Sequence, residues 1–198
     1  MEAELKIVLS EQGLKKLLTS EFFADRVISG SGERLALVST YYDTLDLALR
    51  REGIAYRVRS TTFGDGRVEF EGTTKRTVHK EAGIAEREEI NEAQEDAEPR
   101  RPGVVRLFVT EVERQVWLLR FEGAVFEMAV DHGGIVAPNG EREPIDEVEF
   151  ELKDYGAGGL TGTELLRHLR LALAQVVEFS EESRSKYARG LKLGCWVE

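Results

Sequence analysis

Three stretches of the chain alternate charged with apolar residues: Glu2-Ala3-Glu4-Leu5-Lys6, Arg57-Val58-Arg59 and Glu147-Val148-Glu149-Phe150-Glu151-Leu152-Lys153. Successive side chains of a β-strand point to opposite faces, so each run gathers its charges on one face and its aliphatics on the other. Carboxylates aligned on one strand face repel each other. Their alignment makes sense if a divalent cation, or a set of basic partners, stands in front of them. Arg87 and Arg114 sit on strand-like segments and extend the basic set. For a single run, the solvated face of an ordinary half-buried sheet explains the pattern equally well. For the whole set it explains less, because solvent faces mix Thr, Ser, Lys and Gln, whereas these runs use Glu and Arg.

The elements that must carry these residues follow from turn chemistry and periodicity. Residues 2–9 read as a strand. Glu11 to Phe23 has helical spacing, with Leu14, Leu17, Leu18 and Phe22 on one face and Ser10 as N-cap. Leu35–Tyr42 is a strand that Tyr41-Tyr42-Asp43-Thr44 ends in a turn, and Asp46–Arg51 is a short helical turn closed by Gly53. Ile54–Ser60 and Arg67–Lys75 form a hairpin around Gly64-Asp65-Gly66, followed by a strand over Gly83–Asn91. Glu92–Gly103 is charged and holds Pro99 and Pro102, the signature of a helical turn and a loop. Val109–Phe121 and Ala124–Asp131 make a second hairpin around Glu122-Gly123. Gly133–Ala137 and Pro144–Lys153 make a third around Pro138-Asn139-Gly140. Thr161 or Thr163 caps a helix carrying Leu165, Leu166, Leu169 and Leu173, and Ser183–Gly190 and Leu191–Val197 close the chain. Many antiparallel strands with a few helices predict an α+β fold: a closed antiparallel β-barrel, or tunnel, with flanking α-helices. Closure gives the charges a lumen lined by alternate residues of every strand.

Composition narrows the function. With 198 residues, a single domain over 1–198 is expected. The net charge of −10 excludes a general nucleic-acid binder but not a local basic pocket for a small polyanion. One cysteine, Cys195, rules out an internal disulfide framework, and with three scattered histidines it makes a zinc site improbable. No apolar run approaches a membrane span and no signal sequence opens the chain, so a cytoplasmic protein with no membrane partner is expected, as monomer or homodimer.

The ordered series Glu2-x-Glu4-x-Lys6, Tyr41-Tyr42-Asp43-Thr44, Gly53-x-x-x-Arg57-x-Arg59, Thr73-x-Lys75, Arg87-x-Glu89, Arg114, Asp131, Glu147-x-Glu149-x-Glu151 and Ser185-Lys186-x-x-Arg189-Gly190 resembles the CYTH superfamily, the triphosphate tunnel metalloenzymes, and within it the bacterial inorganic triphosphatase branch. The resemblance implies a tunnel in which basic residues grip a triphosphate and acidic ones hold Mg²⁺ or Mn²⁺. By position it gives the metal to Glu2, Glu4, Glu147, Glu149 and Glu151. Phosphate contacts fall to Lys6, Arg57, Arg59, Lys75, Arg87, Arg114 and Lys186, with Arg189 a weaker candidate. Lys6, Glu4 and Glu149 are the residues expected to carry catalysis. Asp131 reads either as a further acid of the metal site or as a strand-end turn former. Glu69, Glu71 and Glu127 share the inward parity but rank second, and Lys80 reads as a loop lysine. His79, His132 and His168 read as surface residues, Tyr41 and Tyr42 as core aromatics, and Trp117 as facing outward. Two departures stand out: Gly72-Thr73-Thr74-Lys75 lacks the large apolar residue usual between Thr and Lys, and nothing after Gly190 resembles the His-rich helical domain that larger relatives append.

The chemistry suits such a mixture. Arg forks and Lys point charges match phosphate oxygens, and a hard divalent ion needs oxygen ligands. Phosphoryl transfer relies on positioning and electrostatics, so the lack of a Ser-His-Asp constellation is no objection. The leading expectation is divalent-metal-dependent hydrolysis of inorganic triphosphate. The alternatives are a thiamine or nucleoside triphosphatase or class IV adenylyl cyclase on the same fold, or a non-catalytic polyphosphate- or nucleotide-binding module. An organic moiety calls for an aromatic platform, and a pure anion binder has no use for the acidic set.

Overall fold

A computed structural model describes residues 1–197. In chain order the elements are β1 (Glu2–Val8), α1 (Glu11–Leu18), α2 (Glu21–Ala24), β2 (Glu33–Asp43), α3 (Ala48–Arg51), β3 (Ile54–Phe63), β4 (Val68–Glu81), β5 (Ile84–Gln94), β6 (Val105–Phe121), β7 (Ala124–Val136), β8 (Arg142–Asp154), α4 (Gly162–Ala174), β9 (Ser180–Glu181) and α5 (Lys186–Leu193). The sheet order is β5-β4-β3-β2-β6-β7-β8-β1, and β1 pairs back onto β5. Every pairing is antiparallel, so eight strands close into a barrel, with β9 appended to the end of β1. The expected closed antiparallel barrel with flanking helices is what the chain forms.

Alternation puts the main apolar core outside the barrel wall. Ala3, Leu5 and Ile7 of β1 turn outward together with Phe126, Met128, Phe150 and Leu152, and pack under Leu17 of α1 and Leu165, Leu166, Leu169 and Leu173 of α4. Trp117 also points outward, edge-on to Phe23 of α2 with ring centroids 5.5 Å apart. A second apolar cluster continues the lumen-facing parity at one end of the barrel. There Leu37, Tyr41, Phe108, Val112, Ile135 and Ile145 meet Leu191 of α5, which stops that end.

Several boundaries differ from the sequence reading. The helix expected over Glu11–Phe23 breaks at Thr19-Ser20, because the Ser20 hydroxyl accepts the Phe23 amide at 3.1 Å and starts α2. No helical turn forms in 92–103: β5 runs on to Gln94, and bends and turns follow. Lys80 lies within β4, not in a loop, although its side chain is exposed. The last helix begins at Lys186, where Ser185 caps it by accepting the Ala188 amide at 3.1 Å.

The largest correction concerns Asp131-His132-Gly133. This stretch does not end a strand: β7 runs unbroken through it, pairing Asp131 with Glu147 and Gly133 with Ile145. The second and third expected hairpins therefore share one strand. Gly133 is needed because strand β6 comes very close: a Cβ there would lie 2.0 Å from the Glu111 carbonyl oxygen. Gly133→Ala is expected to lose about 1–3 kcal/mol, or roughly 2–10 °C in Tm. A thermal melt that does not move would mean that Gly133 sits in an open turn.

Candidate functional site

Closure brings the alternating charges together around a cavity of about 550 Å³. β1 delivers Glu2, Glu4 and Lys6 to its wall, β3 Arg57 and Arg59, β4 Lys75, β5 Arg87 and Glu89, β6 Arg114, β8 Glu149, Glu151 and Lys153, and α5 Lys186. Asp131 of β7 and Glu147 of β8 share this facing parity. They are almost fully buried and lie behind the Lys186 ammonium, not on the open wall.

The structure sorts the expected residues into four groups. In the first, Asp131, Glu147 and Glu149 present carboxylate oxygens within 4.8 Å of one another. Lys186 Nζ lies 2.9 Å from Asp131 Oδ2 and 2.8 Å from Glu149 Oε1, and also contacts Glu147. Arg114 donates to both Asp131 oxygens at 2.6 and 2.7 Å and to Glu149 Oε2 at 2.7 Å. Lys6 Nζ stands at 3.4 Å from Glu149 and 3.7 Å from Glu147. Burial pushes the Glu149 and Asp131 carboxyls up, but Lys186, Lys6 and Arg114 on Glu149, and Lys186 and Arg114 on Asp131, outweigh it and hold both below the usual range. Of the two readings left open for Asp131, the acid inside the site is the one its mid-strand position fits.

The second group contains Glu2 and Glu4. Arg87 Nη1 holds Glu4 at 2.7 Å, and Lys75 Nζ bridges Glu2 at 2.8 Å and Glu89 at 2.7 Å. Burial and Glu149 push the Glu4 carboxyl up, and Arg87, Lys6 and Lys75 bring it below its ordinary value. Glu2 shares the Lys75 ammonium with Glu89, and Arg87 reaches it only at 3.9 Å. Burial pushes its carboxyl up to about 8 against the pull of Lys75, so this pair keeps one proton at neutral pH. The third group lies further out, where Lys153 pairs with Glu151 at 2.8 Å and with Glu127 at 3.6 Å. Glu151 is therefore separated from the two acids that precede it on its own strand face.

The fourth group is Arg57 and Arg59. Among the described residues neither has a carboxylate partner. Arg59 Nε donates to Ser39 Oγ at 3.0 Å, and the buried Arg57 Nε has no hydrogen-bond partner. Burial, then the like charges of Arg57 and Arg114, push the Arg59 guanidinium down to about 9. It stays protonated at neutral pH, so the shift reflects first the burial of a charge and then repulsion from its like-charged neighbours, both of which a bound anion would offset. β3 and β8 lie four strands apart in either direction round the barrel, so this unpaired pair stands across the lumen from the Asp131–Glu147–Glu149 cluster.

The remaining residues divide clearly. Glu71 and Glu127 line the cavity, whereas Glu69 is exposed and pairs with Arg67. His79, His132 and His168 are exposed. Arg189 does not line the cavity: it bonds Glu143 at 2.7 Å, Glu147 at 3.2 Å and the Pro144 carbonyl, which fastens α5. Tyr42 is half-buried, and Tyr41 both packs, stacked on Phe108 at 4.6 Å, and lines the cavity. Sequence reasoning gave no role to Ser39 or Lys153. The Lys153 parity was visible in its run, but nothing local marks Ser39, which matters only through its register partner Arg59.

Comparison with known proteins follows the same line. The CYTH domain matches residues 1–173. An inorganic triphosphatase from Haemophilus influenzae is 29% identical over 168 residues, a match covering 77% of this chain and 45% of the relative. The chain thus spans about half the length of that curated relative. Among solved structures, a protein from Pyrococcus horikoshii OT3 superposes with a TM-score of 0.67 at 19% identity, covering 97% of this chain and 99% of the other. A putative adenylyl cyclase from Hippeastrum, described as having a dominant triphosphatase activity, superposes with a TM-score of 0.63 at 13% identity, covering 97% and 96%. At those identities the likeness is one of fold.

The Glu2 shift predicts a pH dependence of stability. Its folded pKa, about 8, lies above the ordinary 4.5, so between those values the folded state holds a proton that the unfolded state has released. The stabilisation is full below about 4.5 and is lost as pH rises through about 8. In EDTA, the Tm is expected to fall between pH 6 and pH 8, and Glu2→Gln to flatten that slope. A wild-type melt that is level over this window would refute the shared proton.

Proposed function

The chain belongs to the CYTH domain family, and on that premise we propose that it hydrolyses inorganic triphosphate to pyrophosphate and phosphate in its tunnel, with Mg²⁺ or Mn²⁺. One observation carries the reading: two guanidiniums without a carboxylate partner among the described residues, Arg57 and Arg59, face a convergent carboxylate cluster across a closed lumen. A triphosphate supplies the anion the first lacks, and a hard divalent ion matches the all-oxygen donor set of the second.

Asp131, Glu147 and Glu149 are the residues whose oxygens fit such an ion. When bound, it would neutralise charge on the phosphoryl group being transferred and on the departing oxygen. Arg57 and Arg59 would grip phosphates that do not react. Lys6, one strand step beyond Glu4 and beside Glu149, would meet charge that develops as the terminal P–O bond breaks, and Arg114 would hold Asp131 and Glu149 in place. Glu2, Glu4 and Glu151 complete the acidic set. In this arrangement they orient Lys75, Arg87 and Lys153 toward the lumen.

The inorganic substrate is favoured over a nucleotide by the character of the wall. Among the described residues its aromatic rings are Tyr41, which is stacked on Phe108 at 4.6 Å and on Tyr187 at 5.9 Å, and Tyr187, whose hydroxyl is held by Asp43, so the wall is charged with few rings to stack a base. Among the described residues no helix is long and apolar enough to cross a membrane.

Phosphate release from tripolyphosphate is expected to vanish in excess EDTA and to be mostly lost in Glu149→Gln; release that survives EDTA would sink the metal-site assignment, and an unchanged rate in Glu149→Gln would move the site elsewhere. Arg59→Ala is expected to raise KM roughly tenfold to a hundredfold, the equivalent of about 1.5–3 kcal/mol, with a smaller effect on kcat. Steady-state kinetics that show an unchanged KM would remove Arg59 from the substrate site. Tripolyphosphate should also exceed ATP in kcat/KM, and the reverse order would favour a nucleotide enzyme.

A further inference from the structure

Lys186 does more in this structure than line a phosphate site. Its ammonium occupies the space into which Asp131, Glu147 and Glu149 converge and touches all three carboxylates. It also covers them: Glu149 and Lys186 belong to the cavity wall, but Asp131 and Glu147 do not. A divalent ion and an ammonium cannot use the same lone pairs at once, and two cations that close together repel.

The backbone carrying Lys186 has little freedom to withdraw. The next residue, Tyr187, donates its hydroxyl to Asp43 Oδ2 at 3.1 Å. Asp43 is fully buried, and its two oxygens also accept the Leu49 and Arg50 amides, each at 2.9 Å. This gives the Tyr41-Tyr42-Asp43-Thr44 segment a purpose beyond ending a strand. Arg189 pins the next turn to Glu143, Glu147 and the Pro144 carbonyl. Gly190 packs so closely on Phe108 that a Cβ there would lie 2.2 Å from the ring. With α5 fixed at these points, the flexible aliphatic stem of Lys186 is the part able to move.

We propose that Lys186 is a tethered internal cation: it fills the carboxylate site of the metal-free protein, is displaced when the divalent ion binds, and only then becomes available to the triphosphate. The inference rests on the metal-dependent reading above. It couples the two ligands through one side chain, since the ion releases the cation that the substrate recruits. Metal loading before substrate then follows, and linkage makes the coupling reciprocal.

Two binding measurements on the full chain test this without turnover. The first is Mn²⁺ affinity by electron paramagnetic resonance, with no phosphate present. Lys186→Met is expected to bind Mn²⁺ roughly tenfold or more tightly than wild type, since it removes a competitor held by charge-assisted bonds. Lys186→Arg keeps the charge and the fold and grips carboxylates with a fork, so it should bind Mn²⁺ more weakly. Lys6→Met, which removes a charge that stands further off, at 3.4 Å from Glu149 and 3.7 Å from Glu147, and does not fill the space between the three carboxylates, should change the affinity less. Equal affinities in wild type and both Lys186 variants, or a Lys6→Met effect as large as that of Lys186→Met, would overturn the inference alone. An absence of Mn²⁺ binding in every protein would overturn both the metal reading and the inference. The second is tripolyphosphate binding by calorimetry in EDTA. Lys186→Met should match wild type there, because the lysine is still engaged, whereas Arg59→Ala should bind more weakly. A metal-free loss in Lys186→Met would show that the lysine already serves phosphate, and the proposal would fall.

Discussion

Charges enclosed in a barrel lumen must neutralise one another, and most of this structure follows from that constraint. Burial leaves water little room to screen most of them, so a carboxylate without a cation nearby tends toward its protonated form, and a cation without an anion raises the energy of its neighbours. Glu149 is answered by Lys186, Lys6 and Arg114, and Glu4 by Arg87. Glu2 and Glu89 share one ammonium, and the deficit is met by a proton. The exceptions are on the basic side, where Arg57 and Arg59 lack carboxylate partners among the described residues. A lumen balanced almost everywhere and unbalanced at one pair of guanidiniums is prepared for an anion at that place.

The polar lumen dictates where stability comes from. A barrel filled with charge has no apolar interior over most of its length, so the hydrophobic core is built on the outer wall. The faces opposite Glu2, Glu4 and Lys6 pack under α1 and α4. The helices are therefore half of the core, and what they bury keeps the lumen closed. At one end the lumen face itself turns apolar, and Leu191 of α5 seals it. The element that closes the barrel is also the one that delivers Lys186 to the carboxylates, so sealing and electrostatic balance are coupled through one short helix.

The fold and the strand-borne charges of the alternating runs were legible in the sequence because both depend on strict alternation, which needs no tertiary information, whereas Lys186, on a helix, followed only from the family resemblance. Parity alone assigns Glu2, Glu4, Lys6, Arg57, Arg59, Glu149 and Lys153 to one wall once closure is assumed. The single-residue turn signals were good enough to find Glu122-Gly123 and Pro138-Asn139-Gly140. They misled at His132-Gly133, where the glycine answers a close approach by β6, a neighbour that local sequence does not reveal.

The sequence by itself thus determined which residues face inward, since side-chain direction is a property of the strand. It left undecided which of them meet, since that depends on register and on which strands become neighbours when the sheet closes. Glu147, Glu149 and Glu151 are equivalent as a pattern. Only the pairing of Asp131 with Glu147, and of Glu127 with Glu151, sends the first toward Lys186 and the last toward Lys153. Likewise Lys186 and Arg189 differ little as helical cations. The docking of α5, through Tyr187 on Asp43 and Gly190 on Phe108, puts one among the three carboxylates and makes the other an anchor. Charge-assisted hydrogen bonds need contact distances, so this last step of assembly turned a list of inward charges into a site.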